Sequence, residues 1–168
     1  VPADENSFNT WVGWYVDFAQ PLYLIAETDT LPEIVQALRA IGVDHIGGYW
    51  TPDAVSSNTE SLFVIDPLDV INRIENGAIL LDVRGQSERD EDFIAGSRFV
   101  PMGEVPGKLA ELPREQAIIT QCGGGVRSQI VASLLRRYGY NQVINMRGGI
   151  DAWKKAGLPV VEQPAETV

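Results

Sequence analysis

Ala78-Ile79-Leu80-Leu81-Asp82-Val83 and Ala117-Ile118-Ile119-Thr120-Gln121 are nearly unbroken apolar runs of strand length, and helical apolar spacing lies between and after them. A strand with one wet face would alternate polar and apolar residues. These do not alternate, so both faces are buried. Strands buried on both sides and separated by helices imply a parallel sheet with helices packed on each face. The C-terminal two-thirds of the chain is therefore expected to be an α/β domain.

The remaining elements follow the same order. Phe63-Val64-Ile65 is a short strand ended by Asp66-Pro67, and Pro67 suits the first position of a helix through Val70, Ile71 and Ile74 that Asn76-Gly77 closes. Ser87 is placed to cap a short acidic helix running through Phe93. Ser97 to Pro101 holds a brief extended piece, and Lys108 to Leu112 reads as a turn or two of helix ended near Pro113. From Ser128 the spacing is helical, with Ile130, Val131, Leu134, Leu135 and Tyr138 on one stripe and Gly139 as the stop. Gln142 to Met146 is read as the last strand and Gly149 to Ala156 as the final helix, with Trp153 turned inward.

The first 57 residues repeat part of this pattern. Pro21 to Ala26 is a strand, Leu31 to Ile41 a helix stopped by Gly42, and His45 to Tyr49 another strand. Glu33-Ile34-Val35 aligns with Gln129-Ile130-Val131, and Ile41-Gly42-Val43 with Tyr138-Gly139-Tyr140, with one residue of slippage between the pairs. The segment is read as a partial copy of the half-domain spanning Ala117 to Met146. Ile25 or Ala26 stands at the cysteine's place, so the copy lacks the nucleophile. Residues 1–57 are expected to be this degenerate repeat and 58–168 the complete domain. Half a domain leaves apolar faces uncovered, and Phe8, Trp11, Val12 and Tyr15 have the helical spacing to cover some of them as core. The start at Val1-Pro2-Ala3-Asp4-Glu5-Asn6, without Met, suggests a chain that begins inside something longer.

Charge excludes several partners. Thirteen basic against 23 acidic residues give a net charge of −10, so nucleic acid and anionic membrane surfaces would repel the chain. No apolar run approaches the roughly 18 residues needed to cross a bilayer. A single cysteine rules out an intrachain disulfide and suits a reducing, cytoplasmic compartment.

That cysteine opens the most informative segment, Cys122-Gly123-Gly124-Gly125-Val126-Arg127-Ser128, between a buried strand and a helix. Ligands bind at the carboxyl ends of parallel strands in open α/β sheets. Three glycines let the loop curl so that its amides converge, and the helix N-terminus adds unpaired donors and partial positive charge. Such a cradle stabilises a thiolate, the reactive form of cysteine. Arg127 adds a permanent cation and a planar fork for an anionic substrate. The residues thus point to Cys122 as a nucleophile inside an anion-binding ring formed by Gly123, Gly124, Gly125, Val126, Arg127 and Ser128.

The chain here resembles the rhodanese family. The resemblance rests on Leu81-Asp82-Val83-Arg84, on Cys122 to Ser128, and on Met146-Arg147-Gly148-Gly149-Ile150-Asp151-Ala152-Trp153, and it runs from about Leu62 to Val161. It implies a central parallel sheet flanked by helices and a cysteine that accepts a sulfane sulfur as a persulfide and passes it to a thiophilic acceptor such as a thiol. No cofactor or metal is implied for this chain. Five residues separate Cys122 from Ser128, and Arg127 is the fifth residue after the cysteine. Related phosphatases and arsenate reductases use a loop one residue longer with arginine sixth, so sulfur transfer is favoured over those chemistries. Two departures stand out. The family's "HIPGA" step appears as Phe93-Ile94-Ala95-Gly96-Ser97 without histidine, and the loop has no second basic residue beside Arg127. The second departure favours a neutral or thiol-bound persulfide over thiosulfate as donor.

Phe8 to Trp14, Leu22 to Ala26 and Gly42 to Tyr49 resemble the degenerate first rhodanese repeat of metallo-β-lactamase-fold persulfide dioxygenase fusions. That resemblance implies an upstream iron dioxygenase domain as partner. Among other residues, His45 is read as structural, and Glu88 to Asp92 as a solvated acidic face. Asp82 and Arg84 could support the active loop, but pairing with each other or with nearby backbone is the favoured reading. Two functions are carried forward: a sulfurtransferase working through a Cys122 persulfide, and a non-catalytic sulfur-relay or interaction module of a larger persulfide-oxidising protein.

Overall fold

A computed structural model describes residues 1–3 and 6–162; Asp4, Glu5 and the expected end of the second domain, 163–168, lie outside the described residues. The chain divides into two compact units, Val1–Ser61 and Leu62–Val168. The turns Pro52–Val55 and Ser56–Asn58 belong to the first, so the division falls after Ser61 rather than after residue 57.

In the first unit, α1 (Phe8–Tyr15), β1 (Leu22–Ile25), α2 (Leu31–Arg39), β2 (Ile46–Trp50) and α3 (Pro52–Val55) follow in order. β1 and β2 pair in parallel, as a strand–helix–strand crossover requires. Phe8, Val12, Leu38 and Val43 form its core, and Trp11 is also buried, so the helical spacing of the early aromatics reflects packing. Tyr15 is only partly buried. His45 lies just outside β2 and is exposed; its carbonyl accepts the Leu22 amide at 2.9 Å.

The second unit runs β3 (Phe63–Ile65), α4 (Pro67–Glu75), β4 (Ile79–Asp82), α5 (Gln86–Glu91), β5 (Asp92–Phe93), β6 (Arg98–Phe99), α6 (Val105–Lys108), β7 (Ile118–Gln121), α7 (Val126–Arg137), β8 (Val143–Met146), α8 (Gly149–Lys155) and β9 (Val161–Glu162). Five strands form a parallel sheet in the order β3-β8-β7-β4-β6, with β7 in the middle. Every residue of β7 is buried, which is why its sequence shows no alternation. One face carries Ile65, Leu80, Ile119, Ile144 and Met146 against Val70 of α4 and Ile150 and Trp153 of α8. Each such side chain contributes roughly 1.5–3 kcal/mol on burial. On the other face, Thr120 of β7 donates to the Ser128 carbonyl of α7 at 3.0 Å.

Several local expectations are corrected. The buried stripe of α7 is Ser128, Val131, Ala132 and Leu135, whereas Tyr138 is 49% exposed. Ile130, Leu134 and Tyr138 form an i, i+4, i+8 row that drifts about 40° per step away from the sheet. Tyr140 is buried instead, its hydroxyl donating to the Leu109 carbonyl. Gly85, not Ser87, precedes the first turn of α5, and Phe93 leaves the helix to pair antiparallel with Val161. β8 is therefore not the last strand. The helical segment before β7 begins at Met102 rather than Lys108, as two short 3-10 turns flank α6. Among the described residues no helix is long and apolar enough to cross a membrane.

Candidate active site

Cys122 is the first residue beyond β7, the strand at the centre of the sheet, and is 1% exposed. The loop that follows turns sharply because Gly125 adopts φ +103°, a conformation costly for any side chain, and so delivers the chain into α7. This turn points the Gly125 amide at the cysteine: its N–H donates to Cys122 Sγ at 3.1 Å. The thiol in turn donates to Ser128 Oγ at 3.5 Å, and Ser128 Oγ donates to the Gly125 carbonyl at 3.0 Å. The sulfur thus sits among polar groups rather than hydrocarbon. The ring is sparser than expected, since no other loop amide among the described residues donates to it.

A second glycine, Gly149, seats the loop from behind. The Ile150 and Asp151 amides, opening α8, donate to the Cys122 and Gly123 carbonyls at 2.8 and 3.2 Å. Such an approach needs Gly149, because a methyl there would lie 2.0 Å from the Cys122 oxygen and 2.2 Å from that of Gly123.

Arg127 does not present an open fork. Its Nη1 and Nη2 donate to Glu88 Oε2 and Oε1 at 2.5 and 2.6 Å. Glu88 stands at the start of α5, where it also accepts the Gly85 amide at 2.9 Å. The Arg127 hydrogen bonds hold the Glu88 carboxyl below its ordinary value, against the opposing effect of burial. Glu88 raises Arg127 in return, with the Cys122 sulfur adding in the same direction.

Asp82 and Arg84 pair with each other, Arg84 Nη2 to Asp82 Oδ2 at 2.9 Å, and both are buried. Arg84 also donates to the Glu88 carbonyl at 3.2 Å and to Asp92 Oδ1 at 3.1 Å, and Arg89 Nη1 meets Asp82 Oδ2 at 3.0 Å. Among the described residues neither side chain hydrogen-bonds to the loop or the sulfur; they fasten α5, and α5 carries the carboxylate that meets Arg127.

The structure thus brings together Cys122, Gly123, Gly125, Arg127 and Ser128. Gly124 is exposed at the loop tip and Val126 opens α7, and neither bonds to the sulfur. The sequence reading missed Glu88 and Asp92, taken as solvated: Glu88 holds Arg127, while Asp92 is 16% exposed and meets Arg84 and Lys154. A glutamate at the third helical position was the available signal for Glu88.

These carboxylates set an acid limit. Burial pushes Asp92 up, but hydrogen bonds from Lys154 and Arg84 outweigh it and leave the group below its ordinary 3.8. Glu88 lies below its ordinary 4.5. Depressed carboxylates stabilise the fold fully above the ordinary values and lose that contribution as pH falls through the lowered ones. Urea midpoints are expected to stay flat above about pH 5 and then fall, and Glu88→Gln is expected to flatten the fall.

A five-stranded parallel sheet with a cysteine loop joining its central strand to a helix defines a rhodanese-like α/β domain. The sequence profile of the rhodanese-like domain matches residues 66–156, and the chain belongs to that family. The "Sulfurtransferase" of Allochromatium vinosum is 35% identical over 83 residues, covering 49% of this chain and 78% of its own. The thiosulfate sulfurtransferase GlpE of Actinobacillus pleuropneumoniae is 33% identical over 104 residues, covering 61% of this chain and 95% of its own. Among solved structures, a rhodanese-related protein from Thermoplasma volcanium superposes with a TM-score of 0.56 at 30% identity, over 59% of this chain and 97% of that one. The family match begins inside the second unit.

Proposed function

We propose that the second unit is a sulfurtransferase in which Cys122 carries sulfur from a persulfide or thiosulfate donor to a thiol acceptor. The observation that carries this reading is the Gly125 N–H directed at Cys122 Sγ from 3.1 Å, at the mouth of a central parallel strand. In the first half-reaction the Cys122 thiolate attacks the outer sulfur of R–S–SH. A bond from Sγ to that sulfur forms, the R–S bond to it breaks, and R–S⁻ departs. In the second, an acceptor thiolate takes the same sulfur and Cys122 returns to thiolate. No net oxidation occurs. The Gly125 amide and the helix N-terminus stabilise the anionic sulfur in both halves. A reducing, cytoplasmic setting suits a thiol that must return unoxidised.

The first unit is read as a cysteine-free partial repeat, since β1–α2–β2 has the same parallel strand–helix–strand order as β7–α7–β8. On the same reading a persulfide dioxygenase domain upstream would be the partner. Intact mass after incubation with a persulfide donor tests the transferase reading: a gain of one sulfur atom on Cys122, removed by added thiol with equivalent formation of acceptor persulfide, is expected. An unchanged mass with every sulfane donor would leave the non-catalytic module reading.

A further inference from the structure

Both arms of the guanidinium expected to meet the donor are already engaged. Glu88 faces Arg127 oxygen for nitrogen at 2.5 and 2.6 Å, so the fork that an oxyanion would enter holds a carboxylate of the protein. A second carboxylate stands close by. A methyl placed on Gly123 would lie 3.3 Å from Arg127 Nη2, 3.7 Å from Glu88 Oε1 and 4.0 Å from Asp151 Oδ2. These three side chains therefore surround the residue next to the sulfur, and one cation against two anions leaves a negative balance there. The neighbouring cations make their ion pairs elsewhere, Arg84 with Asp82 and Asp92 and Arg147 with Asp66, while Lys154 pairs with Asp92 and acts on Asp151 only through space.

We propose that Glu88, reinforced by Asp151, sets the donor preference of Cys122, disfavouring a compact dianion such as thiosulfate and admitting a thiol-bound persulfide. This inference rests on the sulfurtransferase reading above. Thiosulfate reaches the thiolate with two charges next to the sulfur being transferred. When Sγ bonds to its outer sulfur and the S–S bond breaks, sulfite leaves with two charges past the same carboxylates. A persulfide reacts as its protonated form R–S–SH, whose outer sulfur is neutral, and releases a singly charged R–S⁻. Glu88 is 36% exposed and Asp151 lies at the surface, so their repulsion acts over the short distance to Gly123 and is open to screening by salt.

The test is kcat/KM for thiosulfate and for cysteine persulfide, measured on the full chain for wild type, Glu88→Gln and Asp151→Asn. Glu88→Gln both removes a charge and frees the Arg127 fork, so the thiosulfate-to-persulfide ratio is expected to rise about tenfold; Asp151→Asn should raise it about threefold. Because each ratio is taken within one preparation, a misfolded fraction cancels. Raising salt from about 50 to about 500 mM should raise the ratio in wild type as the carboxylates are screened. A ratio unmoved or lowered in both variants overturns the inference while leaving sulfur transfer intact. Failure of wild-type Cys122 to gain sulfur from either donor removes the transferase reading and this inference with it.

Discussion

Cys122→Ser is expected to end sulfur transfer from every sulfane donor, a loss on the order of 10⁴-fold or more in kcat/KM. A serine hydroxyl is far too weakly acidic to supply the attacking anion at neutral pH, and it cannot form the S–S bond on which the carried sulfur rides. The fold should tolerate the change. The position is 1% exposed, but its two neighbours are a hydrogen-bond donor, the Gly125 amide, and the Ser128 hydroxyl, both of which an oxygen satisfies. A thermal midpoint close to wild type combined with no detectable turnover is the expected pair of results. Turnover persisting in a folded Cys122→Ser protein would mean that this sulfur does not carry the reaction.

What was readable in advance and what was not divide along a physical line. Strands buried on both faces announce themselves: Leu80, Leu81, Ile118 and Ile119 have relative exposures of 1% or less, and their unbroken apolar runs led directly to a parallel sheet. The loop was equally legible, because three glycines after a cysteine have few other uses. Long-range charge pairing was not. Glu88 and Arg127 are separated by 39 positions, and although the third helical position marks Glu88 as a partner for the helix start, nothing local points it at Arg127. The stripe on α7 failed for a different reason. An i, i+4 row and an i, i+3 row share their first turn and separate only over the helix length, so Tyr138 passed for core while Tyr140, beyond the Gly139 stop, is buried. β9 was invisible because two residues, Val161 and Glu162, carry no periodicity. Asp82 and Arg84 are expected from the sequence to pair with each other or with nearby backbone, and Arg84 does meet Asp82 and the Glu88 carbonyl; that it thereby anchors α5, through Asp92 as well, is an indirect tie that only coordinates reveal.

Gly149→Ala is expected to be among the most damaging single-methyl changes in the second unit, costing more than about 3 kcal/mol of stability and displacing the Cys122 loop. Two effects add. Gly149 has φ +57°, where an alanine pays roughly 1–2 kcal/mol in backbone sterics. The added Cβ would also stand 2.0 Å from the Cys122 carbonyl oxygen, 2.2 Å from that of Gly123 and 2.8 Å from the Cys122 carbonyl carbon. All three are backbone atoms, so no side chain can swing aside. Either α8 retreats from the loop, breaking the Ile150 and Asp151 amide bonds at 2.8 and 3.2 Å, or the Cys122 carbonyl turns and carries Sγ away from the Gly125 amide. The first route lowers stability, the second activity, and both should appear in a urea titration run alongside sulfur loading. Gly124→Ala supplies the contrast for stability: it has no positive φ and nothing within 4 Å of the added carbon, so its midpoint should move by less than about 0.5 kcal/mol. Equal midpoints for the two variants would mean that the Gly149 backbone does not seat the loop, and that Cys122 is held in place by α7 alone.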